Sequence, residues 1–396
     1  MKAILVINTS GNYGGAEKRI VSLFDHINRE RNDYILIINR SLYDLMTGKG
    51  ILSGKQNIHI IDIPFDKKGL PGTSGSSAKK PSEKNSSVKA LLGKYKYFLK
   101  TVYQWHSFAK QLKTILNESQ IKTVYTIWQG GIWGRKVLKK LNIKIIYGAN
   151  SNLVWHLEKD LLNRYDSQYR ILRDAGHIDF LSSGLVEELK KLMPENDLPE
   201  KYSVSPCSFI NYTNFHAEYP KKNNVVFSGR LVKLKNPQLF LEAVKIFNSG
   251  YETSGNVYFY VLGTGPEEQN MKDFVRQQNI ENIRFEGKVP NPEEYLKSSK
   301  VFISIQQTEN YPSQALMEAM ACENAVIASD VGETRRMVTE KEGILVNLIP
   351  GEIAEALNTL FSDEPERMIK GKNARKKVMT EHTIDRFKEY FYELMR

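Results

Sequence analysis

The chain has 396 residues, 41% of them hydrophobic and 26% charged, an ordinary globular composition that is too long for one core and suits two domains. Its net charge of +11 is local: residues 66–113 hold eleven lysines, no arginine and two acids, a segment charge of +9, which argues for attachment to an anionic membrane surface and against a nucleic-acid partner. Two cysteines, Cys207 and Cys322, are too few for a disulfide framework or a structural zinc site.

Residues 3–7 predict a first strand, with an apolar run too short for a signal peptide. A helix over 16–27 follows, with strands at 34–38 and 58–61. Residues 69–87, rich in Gly, Ser, Pro and Lys, predict a flexible linker, and the basic linker as a whole spans 66–90. The next stretch, 88–116, carries one apolar helical face through Val88, Leu91, Tyr95, Phe98, Val102, Trp105, Ala109, Leu112 and Leu116. Tyr97, Tyr103 and Phe108 widen that face, and lysines flank it. Two readings stay open: a helix packed on the core with a solvated lysine face, or one lying on an anionic membrane, which the excess of aromatics favours. Strands at 123–127 and 144–147 complete the first series. The alternation restarts near residue 224, with strands at 225–229, 257–262, 283–285, 301–305, 325–328 and 344–346. This grammar predicts two doubly wound α/β domains, 1–205 and 206–375, with residues 202–215 as the crossover. Residues 376–396 form a C-terminal helix expected to return towards the first domain.

Ligands of open parallel sheets collect at the carboxyl ends of strands, so the chemistry is sought there. After the first strand comes Asn8-Thr9-Ser10-Gly11-Asn12-Tyr13-Gly14-Gly15-Ala16-Glu17, leading into a helix. Gly14 and Gly15 permit close approach of a phosphate to a helix N-terminus, or simply make a tight turn. After the strand at Phe227, Arg230 and Lys235 suit a diphosphate, although most surface cations are merely solvated. The third segment runs Thr308-Glu309-Asn310-Tyr311-Pro312-Ser313-Gln314-Ala315-Leu316-Met317-Glu318-Ala319-Met320-Ala321-Cys322. From 315 to 322 the helix is apolar except at Glu318, which predicts a buried carboxylate aimed at ribose hydroxyls or paired with a remote arginine. The helix opens near Ser313, whose neighbouring amides suit a phosphate.

Together these segments resemble the family 4 glycosyltransferases of the GT-B fold, two Rossmann-like doubly wound domains facing a central cleft. The resemblance is dense over 205–350 and sparse from 30 to 200. It implies a retaining transferase that moves a hexose from a nucleotide-diphosphate sugar to a glycan or lipid-linked acceptor in surface polysaccharide synthesis. The expected place is cytoplasmic, peripheral on the inner face of the membrane. On this resemblance Arg230 and Lys235 bind the donor diphosphate and act in catalysis, and Glu318 binds the ribose. Gly14 and Gly15 approach the phosphates, Gly263 and Gly265 line the donor cleft, and Val289, within 287–290, lies near the nucleobase.

Two departures stand out. The family places two glutamates eight positions apart; here Asn310 occupies that position and Glu309 precedes it, so either fills the first acidic place. A histidine common after the strand at 144–147 is missing; His156 reads as structural, and Asn150 is the better placed polar group for catalysis. The chain contains no Asp-x-Asp pair, so no metal is expected, Arg230, Lys235 and helix dipoles taking that role. A nicotinamide dehydrogenase is disfavoured, because no G-x-G-x-x-G follows the first strand. A basic lipid- or nucleic-acid-binding module leaves Glu318 unexplained, whereas a related enzyme that cleaves the sugar without acceptor transfer stays open.

Overall fold

The structure is a computed structural model that describes residues 1–9, 14–54, 56–64, 87–150, 167–192, 202–251 and 255–396, with the side chains of 87–101, 167–168 and 192 left out. Most of the expected linker and His156 lie outside the described residues. Two compact units emerge, Met1–Pro206 with Lys388–Arg396, and Cys207–Phe387.

In the first unit the strands are β1 (Lys2–Val6), β2 (Tyr34–Asn39), β3 (Ile58–Ile61), β4 (Thr123–Ile127), β5 (Lys144–Ala149), β6 (His177–Phe180) and β7 (Tyr202–Val204). The intervening helices are α1 (Gly15–Glu30), α2 (Arg40–Gly48), α3 (Ser87–Glu118), α4 (Trp128–Lys140), α5 (Ser167–Asp174) and α6 (Ser183–Leu192). All seven strands pair in parallel in the order β3-β2-β1-β4-β5-β6-β7. Strands covered on both faces need unbroken apolar runs, and β2 is buried at every position. The sequence reading found neither β6 nor β7. In β6, the polar His177 and Asp179 break the apolar run that marks the other strands.

The second unit carries β8 (Lys222–Ser228), β9 (Tyr258–Leu262), β10 (Ile283–Gly287), β11 (Ser299–Ser304), β12 (Ala325–Ser329) and β13 (Gly343–Val346). Its helices are α7 (Pro237–Gly250), α8 (Glu268–Gln277), α9 (Glu293–Ser298), α10 (Gln314–Ala321), α11 (Pro350–Ser362) and α12 (Glu364–Glu381); α13 (Ile384–Leu394) follows. The sheet is parallel throughout, in the order β10-β9-β8-β11-β12-β13. The chain divides between the units after Pro206 and again after Phe387, where the sequence reading drew its limits at 205 and 375.

The structure bears on two expectations. Of the two readings open for helix α3, core packing describes its C-terminal part: Phe108, Leu112 and Leu116 are buried in the first unit's core, with Trp105 and Ala109 packed against it. On α3, from residue 102 to its end, the large apolar side chains left exposed are Val102 and Tyr103. Helix α10 was read as buried on every face. Its Leu316, Met317 and Met320 are indeed buried, but Gln314, Ala315 and Glu318 form a half-buried stripe. No described helix is long and apolar enough to cross a membrane.

Candidate functional site

In each unit the strand order reverses once, between β1 and β4 and between β8 and β11. At such a reversal the loops leaving the carboxyl ends diverge and open a crevice.

In the second unit the crevice is flanked by residues 229–236 after β8 and 305–313 after β11. The loop after β8 is pinned to the loop after β9: Leu231 N donates to Thr264 O at 3.0 Å, and Gly229 N to Leu262 O at 2.9 Å. A Cβ at Gly263 would sit 1.9 Å from Gly229 O, and one at Gly265 would sit 2.2 Å from Leu231 O. These two glycines therefore serve the close approach of the loops themselves. On that platform Arg230 is exposed and Lys235 half-buried, and neither forms an ion pair among the described residues. Burial, with Arg230 adding repulsion, pulls the Lys235 ammonium down to about 8. Two cations raised against each other with no carboxylate between them make an anion site.

Across the crevice, Ser313 caps α10, its Oγ accepting from Leu316 N at 3.4 Å. Glu318 lies one turn further along the half-buried stripe, and its charge reaches the Tyr212 phenol and the Cys322 thiol, both pushed up chiefly by burial. Glu309 and Asn310 go to opposite places. Asn310 is 1% exposed, takes a hydrogen bond from Ser304 Oγ at 3.0 Å and another from Gln306 Nε2, and donates to Ser304 O at 2.9 Å. Its amide is thus committed inside the core. Glu309 is half-buried in a cradle of backbone amides, accepting from Tyr311 N at 2.8 Å and Glu333 N at 3.0 Å. Burial nonetheless outweighs these donors and raises its carboxyl. Val289 is partly buried against the same core as α10.

In the first unit the loops after β1 and β4 are joined by a reciprocal pair, Thr9 N to Gln129 Oε1 and Gln129 Nε2 to Thr9 Oγ1, both at 2.9 Å. Gly14 and Gly15 are exposed at the head of α1, and Glu17 reaches back to Gly14 N at 3.0 Å while taking Asn8 Nδ2 at 2.8 Å. Asn150 is engaged at both ends of its amide: Oδ1 accepts from Arg19, and Nδ2 donates to Gly148 O at 2.9 Å. Arg19, 4% exposed on α1, escaped sequence reasoning, as did Asn8, Gln129 and Gln307. For Asn8, Gln129 and Gln307 the signal was available, since each falls just past a strand's carboxyl end, whereas Arg19 lies within α1. No cluster of three or more His, Cys, Asp or Glu suited to a metal occurs among the described residues.

Residues 209–377 match the family described as glycosyl transferases group 1. Among curated relatives, an α-1,4-N-acetyl-D-galactosaminyltransferase of Campylobacter jejuni, whose name gives it a PP-undecaprenol-linked glycan, is 28% identical over 199 residues, 49% of this chain and 54% of that protein. The capsular polysaccharide biosynthesis glycosyltransferase CapH of Staphylococcus aureus is 26% identical over 170 residues, 41% of this chain and 47% of its own. The chain thus spans about half the length of the curated relatives it matches. Among solved structures, Anabaena HepE in complex with UDP and glucose superposes with a TM-score of 0.72 at 13% identity, covering 100% of this chain and 99% of that one. Sucrose-phosphate synthase from Thermosynechococcus elongatus gives 0.71 at 15% identity, over 100% and 98%. Residues 209–377 thus match the glycosyl transferases of group 1, and the chain has the GT-B fold.

Proposed function

We propose that the protein is a retaining hexosyltransferase that moves a sugar from a nucleotide-diphosphate donor to a glycan or lipid-linked acceptor in surface polysaccharide assembly. The observation that carries this reading is the pair Arg230 and Lys235, unpaired with any carboxylate among the described residues, at the switch point of the second unit's sheet. As the glycosidic bond to the leaving diphosphate breaks, negative charge grows on the phosphate oxygens. Fixed cations there lower the barrier without a metal. The start of α10 at Ser313 adds amide donors, Glu318 accepts from the ribose hydroxyls, and Glu309, not the core-bound Asn310, is the acid of the first position. The relatives named for lipid-linked and capsular glycans support the acceptor class, and HepE with UDP supports the donor class. The lysines of 66–113 would hold the enzyme on an anionic, cytoplasmic membrane face.

Radiolabelled sugar transfer from UDP-, GDP- and ADP-sugars, in excess EDTA, tests the reading. Arg230→Ala and Lys235→Ala should each slow transfer roughly 30- to 1000-fold, equivalent to about 2–4 kcal/mol of transition-state stabilisation. Rates within threefold of wild type for both variants would overturn the assignment, and abolition by EDTA would overturn its metal independence.

A further inference from the structure

Lys235 is bracketed by a single residue of the opposite loop. Gln307, beyond the carboxyl end of β11, donates its backbone N–H to Leu234 O at 3.0 Å and its Nε2 to Asn236 Oδ1 at 3.1 Å. Leu234 and Asn236 are the immediate neighbours of Lys235 in the chain. The lysine itself ends one 3-10 turn, Lys233–Lys235, closed by Lys235 N to Val232 O and Asn236 N to Lys233 O, both at 2.9 Å. So short a turn has little cooperative stability of its own. Asn236, moreover, stands at φ 50 and ψ 47, a left-handed conformation that asparagine tolerates better than most residues. Its Nδ2 is buried without a hydrogen-bond partner, so Gln307 is what holds its amide.

We propose that Gln307 is a positioning residue: through Leu234 and Asn236 it fixes the turn that presents Lys235 to the donor diphosphate, and so couples that cation to the loop carrying Glu309. The inference rests on the reading above that Lys235 holds the diphosphate. Replacing Gln307 leaves its backbone bond to Leu234 and removes the bond to Asn236. The turn then loosens and admits water to the ammonium. Water favours the charged form, so proton affinity climbs back towards that of an ordinary lysine. Among the described residues, Arg230 is the charged group whose field lowers it further, and Arg230 lies on the same loop.

The test is calorimetric titration of the full chain with inorganic pyrophosphate and with UDP, GDP and ADP across a pH series. The proteins are wild type, Gln307→Ala, Asn236→Gly and the double variant. Glycine keeps the left-handed backbone while deleting the amide. Each single variant should weaken diphosphate binding roughly three- to tenfold near neutral pH, the loss of one hydrogen bond. The pH at which binding fades should move upward, and the double variant should be no weaker than either single. A merely structural role would lower the melting temperature and leave that pH in place. Gln307→Ala with wild-type affinity and an unmoved pH limit overturns the proposal, as do additive losses in the double variant. If Lys235→Ala abolishes binding while Gln307→Ala does not weaken it, only the positioning role falls. If Lys235→Ala binds like wild type, or wild type binds none of the four probes, the functional reading falls with it.

Discussion

Lys235 keeps its charge against two opposing effects, burial and the field of Arg230, and its ammonium titrates at about 8 against 10.5 for the free group. Below about 8 it is a cation and attracts diphosphate; above, it is neutral. Affinity for nucleoside diphosphates should therefore fall as pH rises through that value, measurable by titration in constant ionic strength. Linkage gives the free protein the opposite trend: between about 8 and 10.5 the unfolded chain binds a proton the folded chain has shed, so stability rises with pH in that window. Glu309 depends on a neighbour with no side chain. A Cβ at Gly332 would lie 2.5 Å from Glu309 Oε2, and Gly332 sits at φ 52, where side chains are disfavoured. Gly332→Ala should cost about 1–3 kcal/mol and weaken donor binding. Adding Glu309→Ala should recover part of the stability in thermal melts and none of the binding. That Glu309 takes its amides while Asn310 turns inward follows from Ser304 and Gln306, whose place beside Asn310 is a matter of packing.

Helix α3 shows how far periodicity reaches. Its apolar stripe is legible as a period of 3.6 residues, but a stripe does not name what covers it. Here the cover is the first unit's core: Phe108 stacks edge-on against Trp133 of α4, with ring centroids 5.6 Å apart, and Trp105 Nε1 donates to Trp133 O at 3.1 Å. Phe108→Ala should destabilise the protein by about 3–5 kcal/mol, whereas Tyr103→Ala, at a side chain 59% exposed, should stay within about 0.5 kcal/mol in the same denaturant series. Phe108 is thereby withdrawn from any membrane contact, and the lysines supply the electrostatic part of such an attachment. Replacing Lys89, Lys94, Lys96 and Lys100 with Gln should reduce co-sedimentation with anionic vesicles, each nearby lysine contributing on the order of 1 kcal/mol. Wild-type protein that ignores such vesicles at low salt would remove the membrane from the functional reading.

At the scale of the molecule, each unit has its own sheet and core, and the chain returns to the first unit at Lys388. The return is fastened by a buried acid. Asp179, 2% exposed on β6, accepts from Tyr125 at 2.9 Å, Ser205 at 3.0 Å and Tyr390 of the C-terminal segment at 2.7 Å. Burial raises this carboxyl, and the three hydroxyls oppose that rise. Tyr390→Phe should cost about 1–3 kcal/mol in thermal unfolding, since it strips a donor from a buried acceptor. Arg396→Ala, which breaks an exposed pair with Glu393, should cost less than about 1 kcal/mol. Equal melting temperatures for the two variants would show that Asp179 does not anchor the segment.

The alternation of apolar runs and helical patterns, repeated from residue 224, determined two parallel α/β units from the sequence alone. It also placed Arg230 and Lys235 past a strand end and Ser313 at a helix start. Such features are local: a strand's burial, a proline at the first turn of α7 or a serine cap is written within a few residues. Only the tertiary structure decided which loops meet. Gln307 finds Asn236 across 71 positions, Gln129 finds Thr9 across 120, and Arg19 finds Asn150 across 131. Those partners are chosen by strand order and register, which bring the carboxyl ends of β8 and β11, and of β1 and β4, side by side. A hydrophobic period fixes which face of an element is buried but carries no information on which neighbour buries it.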